Sequence, residues 1–275
     1  MQPPTVTSAL AYAAQRIERS AARALLTALL QRDAAHLIAH GDAQLTREEA
    51  LTFEQWVARR AQGEPVAYIV GVREFYGRAF GVTSHVLIPR PETELLVDIA
   101  LTAVAGRASP KVLDLGTGSG CIALTIAAEC SGAQVTAADR SDAALTVARA
   151  NAGALGIDNV SWHCGNWYEG LSGLSYDLVV SNPPYIAEGD PHLAAGDLRF
   201  EPVMALTSGG DGMDALRVIV AGAPACLVSG GSLWVEHGYD QAEKCRSLFA
   251  EAGFRDVASH RDLAGIERVT GGRWV

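Results

Sequence analysis

Apolar positions recur at helical spacing through the first sixty residues. Leu10, Ala14 and Ile17 share one face, Leu25, Leu26, Leu29 and Leu30 a second, and Leu51, Phe53, Trp56 and Val57 a third. Ser20 and Thr46 precede such runs, and Glu49 follows Thr46 at the spacing of a capping box. The pattern predicts a small bundle of three or more helices. The rhythm then changes. Around Tyr68-Ile69-Val70, and from Phe75-Tyr76 to Phe80, apolar residues alternate among glycines 71, 77 and 81, which predicts a hairpin. "PETELLVDIALTAV" reopens a helix, with Pro91 early, Glu92 and Glu94 in its first turn and an apolar stripe behind.

From residue 111 the order is strand, turn, helix, repeated. "KVLDLG" runs through a glycine turn into "CIALTIAAEC", and "AQVTAAD" precedes "SDAALTVARANAGALG"; "NVSWHC" and "YDLVVSN" follow. A long polar loop leads to a helix around 212–228, the strand "GSLWVEHG", the helix "QAEKCRSLFAEAG", and the closing segments "FRDVASHRD" and "GIERVTGGRWV". Repeated β-α units with apolar strands predict a largely parallel sheet covered by helices on both faces. Ligands of such sheets sit beyond the carboxyl ends of the strands, near the switch in strand order. By texture the chain divides into a helical domain over 1–75, a hairpin linker over 76–90 and an α/β domain over 91–275.

Composition narrows the setting. Of 275 residues, 49% are hydrophobic and 19% charged, which predicts a packed core rather than disorder. No apolar run approaches the ~20 residues of a membrane helix, and "MQPPTVTSAL" lacks the basic segment and apolar block of a secretory signal. Five cysteines form an odd set without a C-x-x-C pair, so neither a disulfide framework nor a zinc site is expected and a reducing cytoplasm is. Cys121 and Cys164 are read as small buried apolar residues. His36 and His40 share a helix face without a third ligand, so a partly solvated face, and no metal, is expected. The net charge of −9 is uneven: residues 1–84 carry 9 basic and 8 acidic groups, residues 85–275 carry 13 and 23. An acidic larger portion opposes a tight, nonspecific hold on phosphate backbones, and no stable nucleic-acid partner is expected.

Candidate chemistry gathers at the strand ends. "VLDLGTGSG" carries a strand into Gly116, Thr117, Gly118, Ser119 and Gly120, where glycine allows close backbone approach and a tight turn. The spacing is G-x-G-x-G after Asp114, without the G-K-[ST] ending of a phosphate-gripping loop. Asp139 closes the next strand, where a carboxylate can accept both hydroxyls of a ribose or, with Ser141 and Asp142, cap a helix. Trp167 follows the third strand and is either a stacking shelf for a purine or core. The fourth strand, "YDLVVSNPPYIAEGD", stops in Asn182, Pro183, Pro184 and Tyr185. Two prolines fix their own φ and restrict the asparagine before them, a stiffness suited to aiming a polar group.

With these motifs together the chain resembles the class I S-adenosylmethionine-dependent methyltransferases. "DLGTGSG" is similar to their cofactor loop and "NPPY" to the signature of enzymes that methylate planar nitrogens. More narrowly it resembles the HemK-type peptide-chain release factor glutamine methyltransferases, through "GEPVAYIVGVREFYG", "LIPRPETELLV", "VLDLGTGSGCIAL", "SNPPYIAEGDPHL", "RFEPVMAL" and "LWVEHGYDQ", about residues 63–240. The resemblance implies a Rossmann-like α/β domain with a mostly parallel seven-stranded sheet, a small N-terminal helical bundle and a β-hairpin connector. It implies S-adenosyl-L-methionine at Gly116, Thr117, Gly118, Ser119, Gly120, Asp139, Trp167 and Asn182, with S-adenosyl-L-homocysteine as product. It implies that Asn182 and the Pro183 carbonyl accept hydrogen bonds from the glutamine amide of a bacterial class-1 release factor, with Pro184 and Tyr185 against the amide plane. A cytoplasmic monomer is expected. Glu201, Glu236 and His237 are read as braces, and Arg90 and Thr93 as a channel border or a helix start. Two rivals stand beside this: a nucleic-acid amino-methyltransferase acting on adenine N6 or guanine N2, and a non-enzymatic adaptor on the same fold.

Overall fold

The computed structural model describes residues 3–275. The chain divides into two compact units, one running through Val72 and taking in Ala194–Phe200, the other comprising Arg73–Leu193 and Glu201–Val275.

The first unit is helical: α1 (Val6–Ala13), α2 (Arg19–Leu30), α3 (Ala34–Ala39), α4 (Arg47–Ala61) and α5 (Val66–Val70). Thr5 and Asp33 cap α1 and α3 through their side chains, and Thr46 with Glu49 closes a full capping box on α4. Leu25, Leu26, Phe53 and Val57 form the center of its core. Two details differ from the sequence pattern. Helix α1 buries Val6, Ala9 and Ala13, with Leu10 partly buried against the same core and Ala14 exposed, and Ser20 lies inside α2, whose first turn is preceded by Glu18. Tyr68-Ile69-Val70 is helical rather than part of a hairpin, because Pro65 opens the turn, Ile69 packs into the helical core and Gly71 closes it at φ +81°. Tertiary burial outweighs the β preference of those side chains. The returning segment is held by Arg60, whose Nη1 donates to Asp197 Oδ1 at 2.7 Å, and by Arg199, which donates to the Gln62 carbonyl at 2.7 Å.

The hairpin that opens the second unit is β1 (Val72–Phe75), whose first residue still belongs to the helical unit, and β2 (Arg78–Gly81). Helix α6 (Glu94–Val104) follows, then β3 (Lys111–Leu115), α7 (Cys121–Glu129), β4 (Gln134–Asp139), α8 (Asp142–Leu155), β5 (Val160–Cys164) and β6 (Tyr176–Ser181). After the polar loop come α9 (Asp214–Gly222), β7 (Leu227–Glu236), α10 (Ala242–Glu251), β8 (Arg255–Arg261) and β9 (Glu267–Arg273). The seven-stranded sheet has the order β5-β4-β3-β6-β7-β9-β8, with β9 antiparallel to both of its neighbors and the others parallel. Alternate residues of each strand enter opposite cores: Val112, Leu178 and Val180 pack with α6 and α7, while Leu113, Leu115 and Val179 pack with α9 and α10. Both faces are buried, which accounts for the near-continuous apolar strands. Strand order reverses between β3 and β6, where Leu115 pairs with Ser181. The glycine turn and the asparagine-proline turn therefore leave the sheet side by side.

Candidate active site at the strand ends

A cavity of about 440 Å³ lies over the ends of β3, β4 and β6. Gly116, Thr117, Gly118 and Ser119 line one side, with Asp139 and Trp167; Asn182, Pro184, Arg90 and Thr93 line another. Gly120, Pro183 and Tyr185 do not line it.

The glycine turn is built for close approach. A Cβ on Gly118 would meet nothing, yet its φ of +55° lies in the left-handed region that favors glycine. Gly120 begins α7, and a Cβ there would stand 3.0 Å from Leu124 Cδ1 and 3.1 Å from Ala148 Cβ. Behind the turn, Asp114 is fully buried and accepts from the Thr117 hydroxyl at 2.7 Å, while its other oxygen has no partner. Burial pushes its carboxyl up to about 7. Asp139 is not the helix cap, since the Ser141 side chain performs that role for α8. Its oxygens instead accept from Gly118 N and Ser141 N, each at 2.9 Å, fastening the glycine turn to the end of β4; burial raises its pKa against those bonds. Trp167 faces Gly116, where a Cβ would lie 3.6 Å from its ring. Its backbone adopts φ +52°, a strained conformation for an indole-bearing residue that fixes the ring between cavity and core.

Asn182 Nδ2 donates to Thr93 Oγ1 at 3.1 Å, while Oδ1 is buried without a partner. The tyrosine of the motif is held at both ends. Its hydroxyl donates to Glu236 Oε1 at 3.4 Å, and its carbonyl accepts from Gln241 Nε2 at 3.0 Å. Burial raises the Tyr185 hydroxyl well above its ordinary range. Glu201 is buried: Oε2 accepts from Ile88 N at 3.0 Å and Oε1 pairs closely with Arg90, so this carboxylate holds the "IPRPETE" segment at the cavity. His237 is also buried, with Nδ1 bonded to the Gly238 carbonyl at 2.9 Å and Nε2 to the Thr270 hydroxyl at 2.8 Å. Both ring nitrogens are occupied.

Sequence patterns did not single out Gln241 or Asn151. Buried Asn151 joins Gly81 to the Ser119 carbonyl and so anchors α8 to the glycine turn. Cys121 is buried, but Cys164 is exposed at the end of the edge strand β5, which has a neighbor on one side only. Among the described residues no cluster could hold a metal ion, and no helix is long and apolar enough to cross a membrane.

The sheet order and the glycine turn opposite an asparagine-proline strand end define a Rossmann-like class I methyltransferase. Residues 5–71 match the family described as PrmC N-terminal domain, and residues 90–211 match Methyltransferase small domain. A release factor glutamine methyltransferase of Bordetella pertussis is 53% identical, covering 93% of this chain and 95% of its own. One from Xylella fastidiosa (strain Temecula1) is 52% identical over 98% of each. Among solved structures, a methyltransferase from Pyrococcus furiosus has a TM-score of 0.55 at 17% identity, covering 78% of this chain and 95% of its own, a likeness of fold alone. The chain belongs to the release factor glutamine methyltransferase family.

Proposed function

We propose that this chain methylates the side-chain amide nitrogen, N5, of the glutamine in the Gly-Gly-Gln loop of bacterial class-1 peptide-chain release factors, in the cytoplasm, using S-adenosyl-L-methionine. The observation that carries the reading is Asn182: one end of its amide is tied to Thr93, and the acceptor at the other end is buried without a donor. A primary amide NH₂ supplies that donor.

The residues around the cavity suit the cofactor. The open face of Gly118 accommodates close approach, Asp139 offers acceptor oxygens for ribose hydroxyls, and Trp167 presents an aromatic face. When bound, S-adenosyl-L-methionine supplies an electrophilic methyl group on sulfonium, and the protein supplies position and electrostatics. An amide nitrogen is a weak nucleophile because its lone pair is delocalized into the carbonyl. Asn182 Oδ1 and the Pro183 carbonyl accept its two hydrogens and fix the nitrogen's direction, and the Tyr185 ring supports the amide plane. The same acceptors favor positive charge developing on nitrogen, the inverse of an oxyanion hole. The methylated nitrogen is strongly acidic and sheds its proton without an assigned base.

A single glycine-rich loop buries less than the ~1,200–2,000 Å² of a stable interface. The helical unit is assigned the second hold on the release factor. The test is incubation of the chain with methyl-labeled cofactor and a purified bacterial class-1 release factor, followed by peptide mapping. One methyl on the glutamine of Gly-Gly-Gln, lost when that glutamine is replaced by asparagine, is the expected result. Labeling of nucleic acid instead, or of no substrate, would overturn the reading.

A further inference from the structure

Pro183 and Pro184 fix their own φ angles, and each restricts the residue before it. That stiffness ends at Pro184. Its ψ, and both backbone angles of Tyr185, carry no proline constraint, yet Tyr185 must stand where its ring can support the substrate amide. A group outside the motif has to hold it.

The hold converges on Gln241, the residue just before α10, which is 5% exposed. Its Nε2 donates to the Tyr185 carbonyl at 3.0 Å and to the Gly212 carbonyl at 3.4 Å, and its Oε1 accepts from Gly238 N at 2.8 Å. One amide thus joins three segments: the exit of the asparagine-proline motif, the loop before α9 and the turn after β7. Its two ends are fixed by their partners, because a carbonyl only accepts and a backbone N–H only donates. Both hydrogens of Nε2 are in use. A glutamate here would set an acceptor against two carbonyls, and a lysine would offer Gly238 no acceptor.

Two glycines make room for this amide. A Cβ on Gly212 would overlap the Tyr185 carbonyl oxygen and stand 2.9 Å from Gln241 Nε2, and one on Gly238 would stand 3.0 Å from Gln241 Oε1. The next residue, Ile186, is fastened separately: its N–H donates to the Leu206 carbonyl and its own carbonyl accepts from Ser208 N, each at 2.9 Å. Tyr185 is therefore the one link between the prolines and a segment already held. Its hydroxyl has the longer bond, 3.4 Å to Glu236 Oε1, so its carbonyl is the firmer hold.

We propose that Gln241 is a positioning residue for methyl transfer, which through the Tyr185 carbonyl sets the stance of the ring that supports the substrate amide. The inference rests on the amide-methylating reading above and extends it to a residue that does not line the cavity. Its effect falls on the rate of transfer and not on cofactor binding.

The experiment measures single-turnover methylation of purified release factor by the full chain for wild type, Gln241→Glu, Gln241→Met, Tyr185→Ala and the two double variants. Calorimetry gives cofactor affinity and stoichiometry, and rates are expressed per cofactor-binding site so that unfolded protein does not count. Gln241→Glu and Gln241→Met are expected to lower the rate ~10–100-fold, with cofactor affinity within about twofold of wild type. Once Tyr185→Ala has removed the ring, the same Gln241 changes should each cost less than about twofold more. A general loosening of the domain would instead multiply with Tyr185→Ala. The proposal fails if either Gln241 variant turns over like wild type, if cofactor affinity falls as far as the rate, or if the losses multiply in the double variants. Gln241→Met, which adds no charge, decides the matter should Gln241→Glu not fold. Wild type that leaves the release factor unmethylated would overturn the substrate reading itself, an outcome distinct from an active wild type with indifferent variants.

Discussion

Glu201→Ala should loosen the cavity's border and cost much of the chain's stability. The buried carboxylate accepts from Ile88 N at 3.0 Å and pairs with Arg90, so its loss strands two donors contributed by one segment. A buried N–H left unsatisfied costs ~1–3 kcal/mol. Breaking a fully buried ion pair costs ~3–5 kcal/mol, but the Arg90 side chain is 31% exposed and water takes up part of its charge. We therefore assign the stranded arginine about 1–2 kcal/mol and the whole change about 2–5 kcal/mol. At ~2–4 °C per kcal/mol for a chain of this size, thermal unfolding should fall by about 4–20 °C. Glu201→Gln retains an acceptor for Ile88 N–H and should lose less than half as much. The assay is circular-dichroism melting of both variants and of Arg90→Ala, with KM for release factor measured alongside. Glu201→Ala should raise KM, because Arg90 and Thr93 line the cavity. Arg90→Ala added to Glu201→Ala should cost less than it does alone, since the pair is already broken. A Glu201→Ala protein that melts within about 2 °C of wild type with unchanged KM would refute the bracing argument.

Asp139→Ala removes the acceptor of Gly118 N and Ser141 N as well as the oxygens assigned to the ribose. Calorimetry should show cofactor affinity falling at least ~10-fold, as each charge-assisted hydrogen bond is worth ~1.5–3 kcal/mol, and unchanged affinity rejects the assignment. Asn182→Ala should lower kcat far more than cofactor affinity; Tyr185→Phe, which keeps the ring and its packing, should be much milder than Tyr185→Ala in the same turnover assay. A phenylalanine variant as inactive as the alanine one would put the hydroxyl, and not the ring, at the center of the role. Arg60→Ala frees Asp197 and Glu18 within the helical unit and should raise KM for intact release factor while sparing a short Gly-Gly-Gln peptide. An equal effect on protein and peptide would leave those helices as fold support.

Strands, helices and the glycine turn were legible because each depends on residues close together in the chain. Buried parallel strands are apolar on both faces, and a turn that needs positive φ at Gly116, Gly118 and Gly120 states that need in consecutive letters. The failures have the opposite cause. Tyr68-Ile69-Val70 carries β-favoring side chains, but burial of Ile69 against helices far earlier in the chain decides its conformation. Ala194–Phe200 groups with the helical unit because Asp197 meets Arg60, 137 residues away, and no local periodicity encodes that pairing. Cys164 is exposed because its strand falls at a sheet edge, a property of strand order and not of residue type.

The same distinction runs through the site. "NPPY" announces a stiff, aimed asparagine, yet the partners that set its chemistry stand far off along the chain. Thr93 is 89 residues from Asn182, Glu236 is 51 from Tyr185, and Gln241 is 56 from the Tyr185 carbonyl it holds. Thr93 and Glu236 were visible as polar letters in short motifs, each with a bland reading as a helix start or a brace, whereas Gln241 was not singled out. What only the fold supplies is direction. The Asn182 amide is tied through Nδ2 to the buried Thr93 hydroxyl while Oδ1 is buried without a partner, so its two ends are chemically distinct in the fold as they are not in the sequence. Proline geometry fixes where Asn182 points; the bond from its Nδ2 to Thr93 fixes which end of the amide is held.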